Sequence, residues 1–361
     1  MKEKIIVGLS GGVDSSVAAL LLTQQGYEVE ALFMKNWDEK TANGGCLWEA
    51  DVEDAIRVCE VLQIPLNTVD LSRAYWDEVF RSFLAQYASG RTPNPDILCN
   101  QEVKFKAFLD HALNLGADRI ATGHYARLHD AGGRFDLLKG MDVNKDQSYF
   151  LCRMTQYQLA HTLFPVGEYE KPRIRKMAAE AGLITHDKKD STGICFIGER
   201  PFRDFLSNYL PAANGAIRTS DGLVIGEHLG IQFYTLGQRK GLGVGGVKGA
   251  GDGPWYVVAK DIVNNELIVA QNHDDPLLYS AALSAGNVHW IGERSPAFPF
   301  NCLAKTRYRQ PDQECLVDHI GENKVRVRFA VPQWAVTPGQ YVVFYNGETC
   351  LGGGVIDTTS N

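Results

Sequence analysis

The stretch KIIVGLSGGVDSSVAALLL, residues 4–22, decides the fold of this chain. Lys4–Leu9 is a short apolar run rich in β-branched residues, which is typical of a buried strand. Asp14–Gln25 has helical composition and is followed by Gly26, a residue that commonly stops helices. A strand that leads through a glycine-rich turn into a helix is the repeating unit of an alternating α/β fold.

The same alternation continues through the first half of the chain and predicts a doubly wound, mostly parallel sheet. Further strands are predicted at Tyr27–Lys35, Leu66–Leu71 and Asp118–Thr122, and further helices at Glu49–Leu62, Arg73–Tyr87, Gln101–Leu115, Pro172–Ala181 and Arg203–Leu210. Sheets of this class bind ligands outside the carboxyl ends of their strands. Gly123 and His124 directly follow a predicted strand, so they fall at that edge.

The second half of the chain has a different pattern. From about Ala212 onward, short alternating segments are separated by Asn-Gly, Asp-Gly and glycine-rich turns, which indicates one or two small β-barrels. The clearest strands are Glu266–Ala270, Leu303–Tyr308, Lys324–Phe329 and Gln340–Tyr345. We therefore expect a catalytic α/β domain over residues 1–208, a central β-rich domain over 209–272 and a C-terminal β-barrel domain over 273–361.

The turn after the first strand, Ser10–Ser16, has the composition of an anion site. Its glycines let the backbone approach a phosphate, its serines add hydroxyl donors, and the following helix supplies unpaired N–H groups with a partial positive charge. The P-loop pattern G-x-x-x-x-G-K-S/T is absent, so a cradle of that type is not expected. The alternative is a small-residue turn in which Asp14 only starts the helix.

A second glycine-rich stretch, Gly241–Gly246, matches G-x-G-x-x-G but does not predict a dinucleotide site. The residues that follow it, VKGAGDGP at 247–254, cannot form the helix whose N-terminus would bind a pyrophosphate. The turn at Ser10–Ser16 is therefore the better candidate for a nucleotide.

The net charge of −7 argues at first against a nucleic-acid partner, because phosphate binding needs clustered Lys and Arg. Residues 1–100 hold 8 basic and 15 acidic side chains, so the remainder of the chain sums to zero. A basic face thus remains open. The first residues contain an apolar run of about six, too short for a signal peptide or a membrane span. We therefore expect a cytoplasmic protein without a membrane partner.

Eight cysteines without a C-x-x-C pair predict thiol chemistry rather than a disulfide scaffold or a zinc site. Cys99 follows the turn RTPNPDIL (91–98) and falls near the start of a helix capped by Asp96 or Asn100, where the dipole favours a thiolate. The dipole at such an end contributes about 0.3–1 kcal/mol, less than the about 1.4 kcal/mol of one pKa unit. Basic neighbours or the substrate must therefore contribute the rest.

Cys195 lies in KKDSTGICFIGE (188–199), a turn-rich segment with two lysines that is typical of a reactive thiol. The usual environment of a single cysteine is a buried apolar one, and we expect it for five others. These five are Cys59, Cys152, Cys302, Cys315 and Cys350. Cys46, in an Asn-Gly-Gly turn, is left undecided.

Six segments together resemble the bacterial tRNA-specific 2-thiouridylase family, and the similarity runs essentially end to end. They are Ser10–Ser15, Thr92–Asn100, Ala121–Tyr125, Lys145–Leu151, Lys188–Gly198 and Thr235–Gly243. The first alone, as S-G-G-x-D-S, names only the superfamily of enzymes that split ATP between its α and β phosphates. The resemblance implies an ATP-pyrophosphatase domain with an adenine-nucleotide-hydrolase-like sheet, in a tRNA-uridine 2-sulfurtransferase.

The resemblance also implies roles for particular residues. Those implied for ATP are Gly8, Leu9, Ser10, Gly11, Gly12, Val13, Asp14, Ser15, Met34 and Gly123. Those implied for the target base are Asn94, Pro95 and Asp96, and those for tRNA are His124, Lys145, Asp146, Gln147, Arg307, Tyr308 and Gln340. Asp14 would help hold the Mg²⁺ that accompanies ATP, and no metal is expected from the protein alone. Cys99 would be the nucleophile, and Cys195 would carry a persulfide.

For some of these residues the sequence pattern itself, apart from the resemblance, supports an interpretation. Lys305, Arg307 and Arg309 alternate along a predicted strand, so all three are expected to face one phosphate backbone, with Tyr308 on the opposite side. The alternative is a solvated barrel face. A lone histidine such as His124 is more often structural, and Asp38–Leu47 receives no assignment.

The reaction implied by the resemblance is adenylation of a uridine O2 by ATP, followed by attack of sulfur at C2 and loss of AMP. Cys99 would release sulfur from a Cys195 persulfide, and the disulfide left between them would be reset by a thiol. The partners are tRNA and an upstream sulfur carrier or desulfurase. The two cysteines are expected to be apart without tRNA, and the Cys195 segment to move when tRNA binds.

Two other functions remain open from the sequence. An ATP-dependent ligase or amidotransferase acting on a small metabolite would share the Ser10–Ser15 turn but needs no cysteine pair. A nucleotide-sensing or RNA-binding protein with a vestigial turn would need no catalysis. Sulfur incorporation into tRNA separates the first from a sulfurtransferase, and tRNA-dependent release of pyrophosphate separates the second.

Overall fold

The computed structural model of the chain describes residues 2–37, 48–190, 202–245, 251 and 253–360. The first half contains, in chain order, β1 (Lys4–Gly8), α1 (Val13–Gln24), β2 (Glu28–Lys35), α2 (Glu49–Leu62), β3 (Leu66–Asp70), α3 (Ser72–Tyr75), α4 (Arg81–Ala88), α5 (Pro95–Leu98), α6 (Phe108–Asn114), β4 (Arg119–Ala121), β5 (Ala126–Asp130), β6 (Phe135–Lys139), α7 (Gln156–Ala160), β7 (Thr162–Leu163), α8 (Lys171–Glu180) and α9 (Phe202–Leu206). π-helical segments at Trp76–Phe80 and Cys99–Ala107 join α3 to α4 and α5 to α6. In the part of the chain that the structure describes, no helix is long and apolar enough to cross a membrane.

The second half is built from strands. They are β8 (Gly215–Thr219), β9 (Val224–His228), β10 (Trp255–Asp261), β11 (Glu266–Gln271), β12 (Tyr279–Trp290), β13 (Phe300–Lys305), β14 (Gln313–Gly321), β15 (Lys324–Trp334), β16 (Tyr341–Asn346) and β17 (Thr349–Ser360). Short 3₁₀ turns lie at Ser148–Leu151, Ile184–Asp187, Ile231–Phe233 and Pro276–Leu278.

Five parallel strands form the sheet of the first half, in the order β3-β2-β1-β4-β7. β1 is central, and Ile5, Ile6 and Val7 are completely buried. The helix α1 has nine of its 12 residues buried. The predicted α/β class is therefore confirmed. Because the order runs one way from β1 to β3 and the other way to β7, the crevice beyond β1 and β4 is a switch point where such sheets bind ligands.

The second half contains the predicted β-rich architecture. A four-stranded sheet has the order β10-β11-β8-β9, and six antiparallel strands form a barrel that closes where β17 pairs with β12. The hairpin β5–β6 was not predicted from the sequence. It leaves the first half and pairs with β17, with Leu138 opposite Thr349 and Leu137 opposite Cys350. The barrel is thus tied to the catalytic half by strand pairing.

The strand predicted at Leu303–Tyr308 is wrong, because β13 ends at Lys305. The backbone N–H and the hydroxyl of Thr306 both bond to the side chain of Gln310, at 2.8 and 2.9 Å, and close a turn over residues 306–310. Arg307 and Arg309 lie in that turn, so they do not continue the alternation that begins at Lys305. The expected common basic face of these three residues is therefore wrong as well.

Candidate active site

The glycine-rich turn between β1 and α1 forms an open helix start at the carboxyl edge of the sheet. Gly12 is the N-cap of α1 and has no side chain to satisfy the first-turn N–H groups, so these groups are available to an anion. The hydroxyl of Ser15 accepts a hydrogen bond from the N–H of Ser10 (3.2 Å) and donates to the carbonyl of Gly12 (3.1 Å). At Gly11, φ is +71° and a Cβ would lie 2.3 Å from the Asp51 carbonyl oxygen, so only glycine fits.

The end of β4 closes against this turn at Gly123. A Cβ at Gly123 would lie 2.6 Å from the backbone nitrogen of Ser15, which explains the glycine. Gly8 ends β1, and Met34 is the next-to-last residue of β2, the neighbouring strand. The residues implied for ATP therefore lie together at the carboxyl ends of β1, β2 and β4.

Asp14, the second residue of α1, binds two side chains from distant segments. The hydroxyl of Tyr125 donates to its Oδ1 at 2.7 Å, and Nζ of Lys171 lies 2.8 Å from both carboxylate oxygens. Lys171 begins α8, and its side chain is only 9% exposed. Sequence reasoning assigned no role to Lys171 or Tyr125, because a single lysine before a proline is an ordinary helix start and carries no motif.

Asp190 is shared by three cations next to Asp14. Its carboxylate lies 2.7 Å from Nζ of Lys171, 2.5 Å from Nζ of Lys145 and 2.9 Å from Nη2 of Arg175. Burial alone would raise the pKa of Asp190, but hydrogen bonds from Lys145 and Lys171 outweigh it and lower the pKa to about 2. Asp190 is therefore a fixed anion at neutral pH.

Lys188 holds the turn from its other side. Its ammonium donates to the carbonyl of Gly11 at 2.9 Å and to the carboxylates of Asp51 and Asp54 at 2.8 and 2.6 Å. These three acceptors use all three of its donors. The segment that leads to Cys195 is thus anchored to the Ser10–Ser16 turn, although Cys195 and Cys46 lie outside the described residues.

Cys99 lies one turn inside a continuous helix that begins at Pro95. The N-cap is Asn94, whose Oδ1 accepts from the N–H of Ile97 at 3.3 Å, and not Asp96 or Asn100 as expected. Cys99 is 2% exposed. Its core cluster includes Tyr75, Val79, Phe80, Phe83, Tyr87, Val103, Phe205 and Leu206. The helix dipole acts most strongly in the first turn, and the thiol lies beyond that turn. It also lies in an apolar environment.

Burial shifts the pKa values of two titratable groups near this helix. Burial raises the pKa of Asp96, although the charge of Lys104 opposes the shift. Burial also lowers the pKa of His124 well below its usual value, and Lys104 adds to that shift, so the ring is neutral at neutral pH. His124 Nδ1 lies 2.7 Å from the hydroxyl of Thr122. A carboxyl with a raised pKa and a neutral imidazole therefore lie in the electrostatic field of one lysine.

The residues Lys145–Gln147 are held by internal contacts. The carboxylate of Asp146 is buried and accepts from the N–H of Gly140 and of Ser148, both at 3.1 Å. Gln147 Oε1 accepts from the N–H of Tyr125 at 2.9 Å, beside Asp14. This segment therefore borders the Ser10–Ser16 turn as well as the barrel.

Arg307 and Gln340 join the barrel to the other two regions. Arg307 Nη2 donates to the carbonyls of Leu236 (3.1 Å) and Ala335 (2.8 Å), and its guanidinium lies 5.1 Å from the ring of Trp334. Gln340 Nε2 donates to the carbonyl of Thr92 at 2.8 Å. Both side chains fix the position of the barrel beside the turn that precedes Cys99.

Tyr308 lies close to the same junction. Its hydroxyl donates to the carbonyl of Lys145 at 3.3 Å, and its ring lies 4.4 Å from that of Phe150. Lys305 is 3.7 Å from the carboxylate of Asp146. Tyr308 and Lys305 of the barrel region are therefore in direct contact with the segment Lys145–Gln147.

The other described cysteines lie in apolar surroundings. Cys59, Cys152, Cys315 and Cys350 are buried as predicted, whereas Cys302 is only half-buried. Burial raises the pKa of Cys59 to about 11 and that of Cys152 to about 12. Cys302 and Cys315 face each other across β13 and β14, with their sulfur atoms 3.6 Å apart.

Comparisons with family models and with known proteins show which family this chain is similar to. A tRNA methyl transferase HUP domain matches residues 3–199, a tRNA methyl transferase PRC-barrel domain matches 203–271, and an aminomethyltransferase beta-barrel domain matches 280–356. The tRNA-specific 2-thiouridylase of Pseudomonas paraeruginosa is 58% identical over 357 residues, which are 99% of this chain and 95% of that protein. This chain belongs to the tRNA-specific 2-thiouridylase family. The resemblance inferred from the six sequence segments is thereby confirmed.

Other members of the 2-thiouridylase family agree. The protein from Methylococcus capsulatus is 57% identical over 363 residues, which are 100% of this chain and 98% of that protein. The HUP-domain match fits the use of ATP. Among solved structures, the U34-tRNA thiolase NcsA from Methanococcus maripaludis is 16% identical with a TM-score of 0.35, over 57% of this chain and 65% of that chain. A likeness of that degree carries no argument about this chain.

Proposed function

We propose that this chain is a tRNA-uridine 2-sulfurtransferase that uses ATP to activate the wobble uridine of tRNA and replaces its O2 with sulfur. The observation that carries the proposal is the proximity of an open phosphate-binding helix start and a cysteine-bearing helix on one sheet. Ile97, two residues before Cys99, lies in the same core cluster that Met34 packs against. A small-molecule ligase would need the first feature but not the second.

In the first step, ATP activates the uracil carbonyl. The uridine O2 attacks the α phosphorus, a bond from O2 to phosphorus forms, and pyrophosphate leaves with the electron pair of the broken bond. The proton on N3 leaves at the same stage. Asp96, implied for the target base, has a pKa raised by burial, which suits a group that accepts such a proton. The adenylate makes O2 a leaving group.

In the second step, sulfur replaces O2. The Cys99 thiolate attacks the inner sulfur of a persulfide on Cys195, which forms the Cys99–Cys195 disulfide and releases hydrosulfide. Hydrosulfide attacks C2, AMP leaves with O2, and the proton of hydrosulfide ends on N3. An external thiol then reduces the disulfide and restores both cysteines.

The described residues fit Mg²⁺ only as a companion of ATP. Mg²⁺ prefers oxygen ligands and is usually bound through one or two carboxylates together with substrate phosphates. Asp14 supplies one carboxylate at the helix start, and among described residues no group of three His, Cys, Asp or Glu side chains could hold a metal ion. Asp14 would therefore hold Mg²⁺ together with phosphate oxygens, and the ion would neutralise phosphate charge.

The partners of the proposed reaction are tRNA and a protein that delivers persulfide sulfur. His124, Lys145, Asp146, Gln147, Arg307, Tyr308 and Gln340 are the residues proposed for tRNA. Each of these residues already has a side-chain atom hydrogen-bonded to another residue of the chain. We therefore expect these residues to shape the surface for tRNA at the junction of the barrel and the catalytic half, where Asn94–Asp96 are proposed for the base.

The proposal is tested with purified protein, unmodified tRNA transcript, Mg²⁺, ATP and a persulfide-loaded desulfurase. We expect 2-thiouridine in the digested tRNA by mass spectrometry, together with an equal amount of AMP. Omission of tRNA should abolish AMP formation. Modified tRNA without AMP would contradict the adenylation step, and AMP without modified tRNA for every sulfur donor tried would contradict the sulfur transfer. Tandem mass spectrometry of the anticodon fragment checks the wobble position.

A further inference from the structure

Lys171 is the one described lysine whose ammonium contacts Asp14 at the start of α1. It occupies the first position of α8, where its backbone N–H donates to the carboxylate of Asp142 at 3.0 Å. The side chain is buried, so its charge is directed inward and is not a solvated surface charge. Burying the ammonium of a lysine costs free energy unless the charge is paired.

The partners of Lys171 are both acidic and both border the phosphate site. Nζ lies 2.8 Å from each oxygen of Asp14 and 2.7 Å from Oδ1 of Asp190. A phosphate bound at the first turn of α1 must lie beside Asp14. Two carboxylates at that place repel a polyphosphate unless a cation stands between them and the ligand. Nζ of Lys171 lies within hydrogen-bond distance of both carboxylates and offsets part of their charge.

Lys145 and Arg175 show why Lys171 can turn toward a ligand. They both bind Asp190, at 2.5 and 2.9 Å, so Asp190 keeps two cationic partners if Lys171 leaves it. Asp14 keeps the hydroxyl of Tyr125 at 2.7 Å. Neither carboxylate is therefore left buried without a partner when the ammonium moves to a phosphate oxygen.

We propose that Lys171 is a phosphate ligand of ATP, held ready beside the open helix start by Asp14 and Asp190 until the nucleotide arrives. This inference rests on the proposed function, because it requires ATP to bind at the turn after β1. In the adenylation step, the bond between the α phosphorus and the bridging oxygen breaks and its electron pair leaves on pyrophosphate. The ammonium of Lys171 stabilises that growing negative charge without giving up a proton.

The experiment measures nucleotide binding in the absence of tRNA, when no turnover is expected. Calorimetric titrations of ATP with Mg²⁺, and separately of adenosine, are made with the wild type, Lys171→Met, Lys171→Arg and Lys176→Met. Lys176 lies on the same helix, is exposed and pairs only loosely with Glu180 at 3.7 Å, so it is the matched control. Loss of a charged hydrogen bond should weaken ATP binding about tenfold to a hundredfold in Lys171→Met.

The other variants sharpen the result. Adenosine affinity should be unchanged in Lys171→Met, Lys171→Arg should retain part of the ATP affinity, and Lys176→Met should match the wild type. Asp190→Asn removes a competitor for the ammonium, so ATP should bind as tightly as to the wild type or more tightly. A lysine that only holds Asp14 and Asp190 together predicts the opposite, weaker ATP binding in Asp190→Asn.

Each outcome has a separate meaning. Unchanged ATP affinity in folded Lys171→Met overturns the assignment of Lys171 and leaves the proposed function standing. Failure of the wild type to bind ATP overturns the proposed function itself. If Lys171→Met does not fold, as judged by circular dichroism, Lys171→Arg and Asp190→Asn decide the question, and weaker binding of ATP to Asp190→Asn overturns the assignment.

Discussion

The turn Ser10–Ser16, here called the ATP turn, and the turn at 91–98, here called the Cys99 turn, both lead into helices. They differ in whether the first N–H groups of the helix are left without a capping side chain. Gly12 caps α1 without a side chain, so first-turn N–H groups remain available. Asn94 caps the helix before Cys99 through the N–H of Ile97, and Pro95 takes the first helical position. The first arrangement makes an anion site and the second closes one. The capping residue therefore decides whether a helix end can bind a ligand.

The surroundings of the two turns differ in the same way. Asp14 is surrounded by paired charges and hydroxyls, whereas Cys99 lies among aromatic and aliphatic side chains. A polar site whose dipoles are already oriented can bind its ligand with movement of side chains alone. A thiol that is 2% exposed must become accessible before it can attack a persulfide. We therefore expect ATP binding to need only the free protein and sulfur transfer to need tRNA.

The largest effect should come from Cys99→Ser. A serine hydroxyl does not attack a persulfide as a thiolate does, so 2-thiouridine should disappear from the products while tRNA-dependent AMP formation persists. Mass spectrometry of the nucleosides and chromatography of the nucleotides measure both in one reaction. Cys302→Ser, in the barrel, is the control and should behave as the wild type. Normal 2-thiouridine yield from Cys99→Ser would remove this cysteine from the reaction.

Asp14→Ala should impair the earlier step, so AMP formation should fall and 2-thiouridine should fall with it. The rate of tRNA-dependent AMP formation should fall by about a hundredfold, because the variant loses the carboxylate beside the phosphates and the anchor of Lys171. The slow alkylation of Cys99 in the free protein should not change, because the two turns are independent helix starts. Circular dichroism checks the fold. Wild-type AMP formation by a folded Asp14→Ala would place the ATP site elsewhere.

The difference between the two turns also marks how far the sequence could be interpreted. The strand, turn and helix of the ATP site are contiguous, and they were predicted to within about a residue. Tyr125 and Lys171 were not assigned a role, because they meet Asp14 from 111 and 157 positions away and no local pattern indicates that contact. The cap of the Cys99 helix was placed wrongly because Asn94, Asp96 and Asn100 are three capping residues within seven positions. Pro95 is favoured at the first helical position, and this local preference selects Asn94 as the cap.

The second half shows the same limit at the level of elements. The strands named from period-two alternation correspond to β11, β13, β15 and β16, but the pairing of β6 with β17 joins segments about two hundred residues apart and has no local signal. The alternation of Lys305, Arg307 and Arg309 suggested a longer β13. The hydrogen bonds from Thr306 to Gln310 end the strand instead. Side-chain hydrogen bonds within a turn outweighed the alternation there.

Alkylation of Cys99 tests whether the buried turn opens. Iodoacetamide should label Cys99 about tenfold faster or more when tRNA and ATP are both present than in the free protein, because labelling requires an exposed thiolate. Peptide mass spectrometry gives the rate for each cysteine. Cys59 and Cys152 are internal controls, since both thiols are buried and burial raises the pKa of each. Equal Cys99 rates with and without tRNA would show that no opening occurs.

Arg309 and Arg307 should differ in what their loss changes: tRNA binding for Arg309 and the stability of the fold for Arg307. Arg309 is exposed in the turn after β13, so Arg309→Ala should weaken tRNA binding and make the slope of log affinity against log salt shallower by about one phosphate contact. Arg307→Ala should mainly lower the denaturation midpoint, because the guanidinium bonds two carbonyls at the barrel junction. Filter binding at several salt concentrations and urea titrations measure the two effects. An unchanged slope for Arg309→Ala would move the tRNA surface away from this turn.

The smallest effect is expected at Lys260, which joins the central sheet to the loop before the Cys99 turn. Its ammonium donates to the carbonyl of Gly90 at 3.0 Å, and burial lowers its pKa to about 8. The unfolded chain keeps this proton up to about pH 10.4. Between these values the unfolded state binds more protons, so the contribution of Lys260 to the free energy of unfolding rises with pH.

The sign can be isolated even though other groups titrate in the same range. Buried thiols such as Cys59, whose pKa is raised to about 11, keep protons that the unfolded chain loses, so they lower stability as pH rises. Lys260→Met removes only the rising contribution. Urea midpoints at pH 7.5 and 9.5 should therefore fall more, or rise less, in Lys260→Met than in the wild type. Lys324→Met, an exposed lysine on β15, should follow the wild type. Identical pH dependence in Lys260→Met and the wild type would show that Lys260 is not desolvated at this junction.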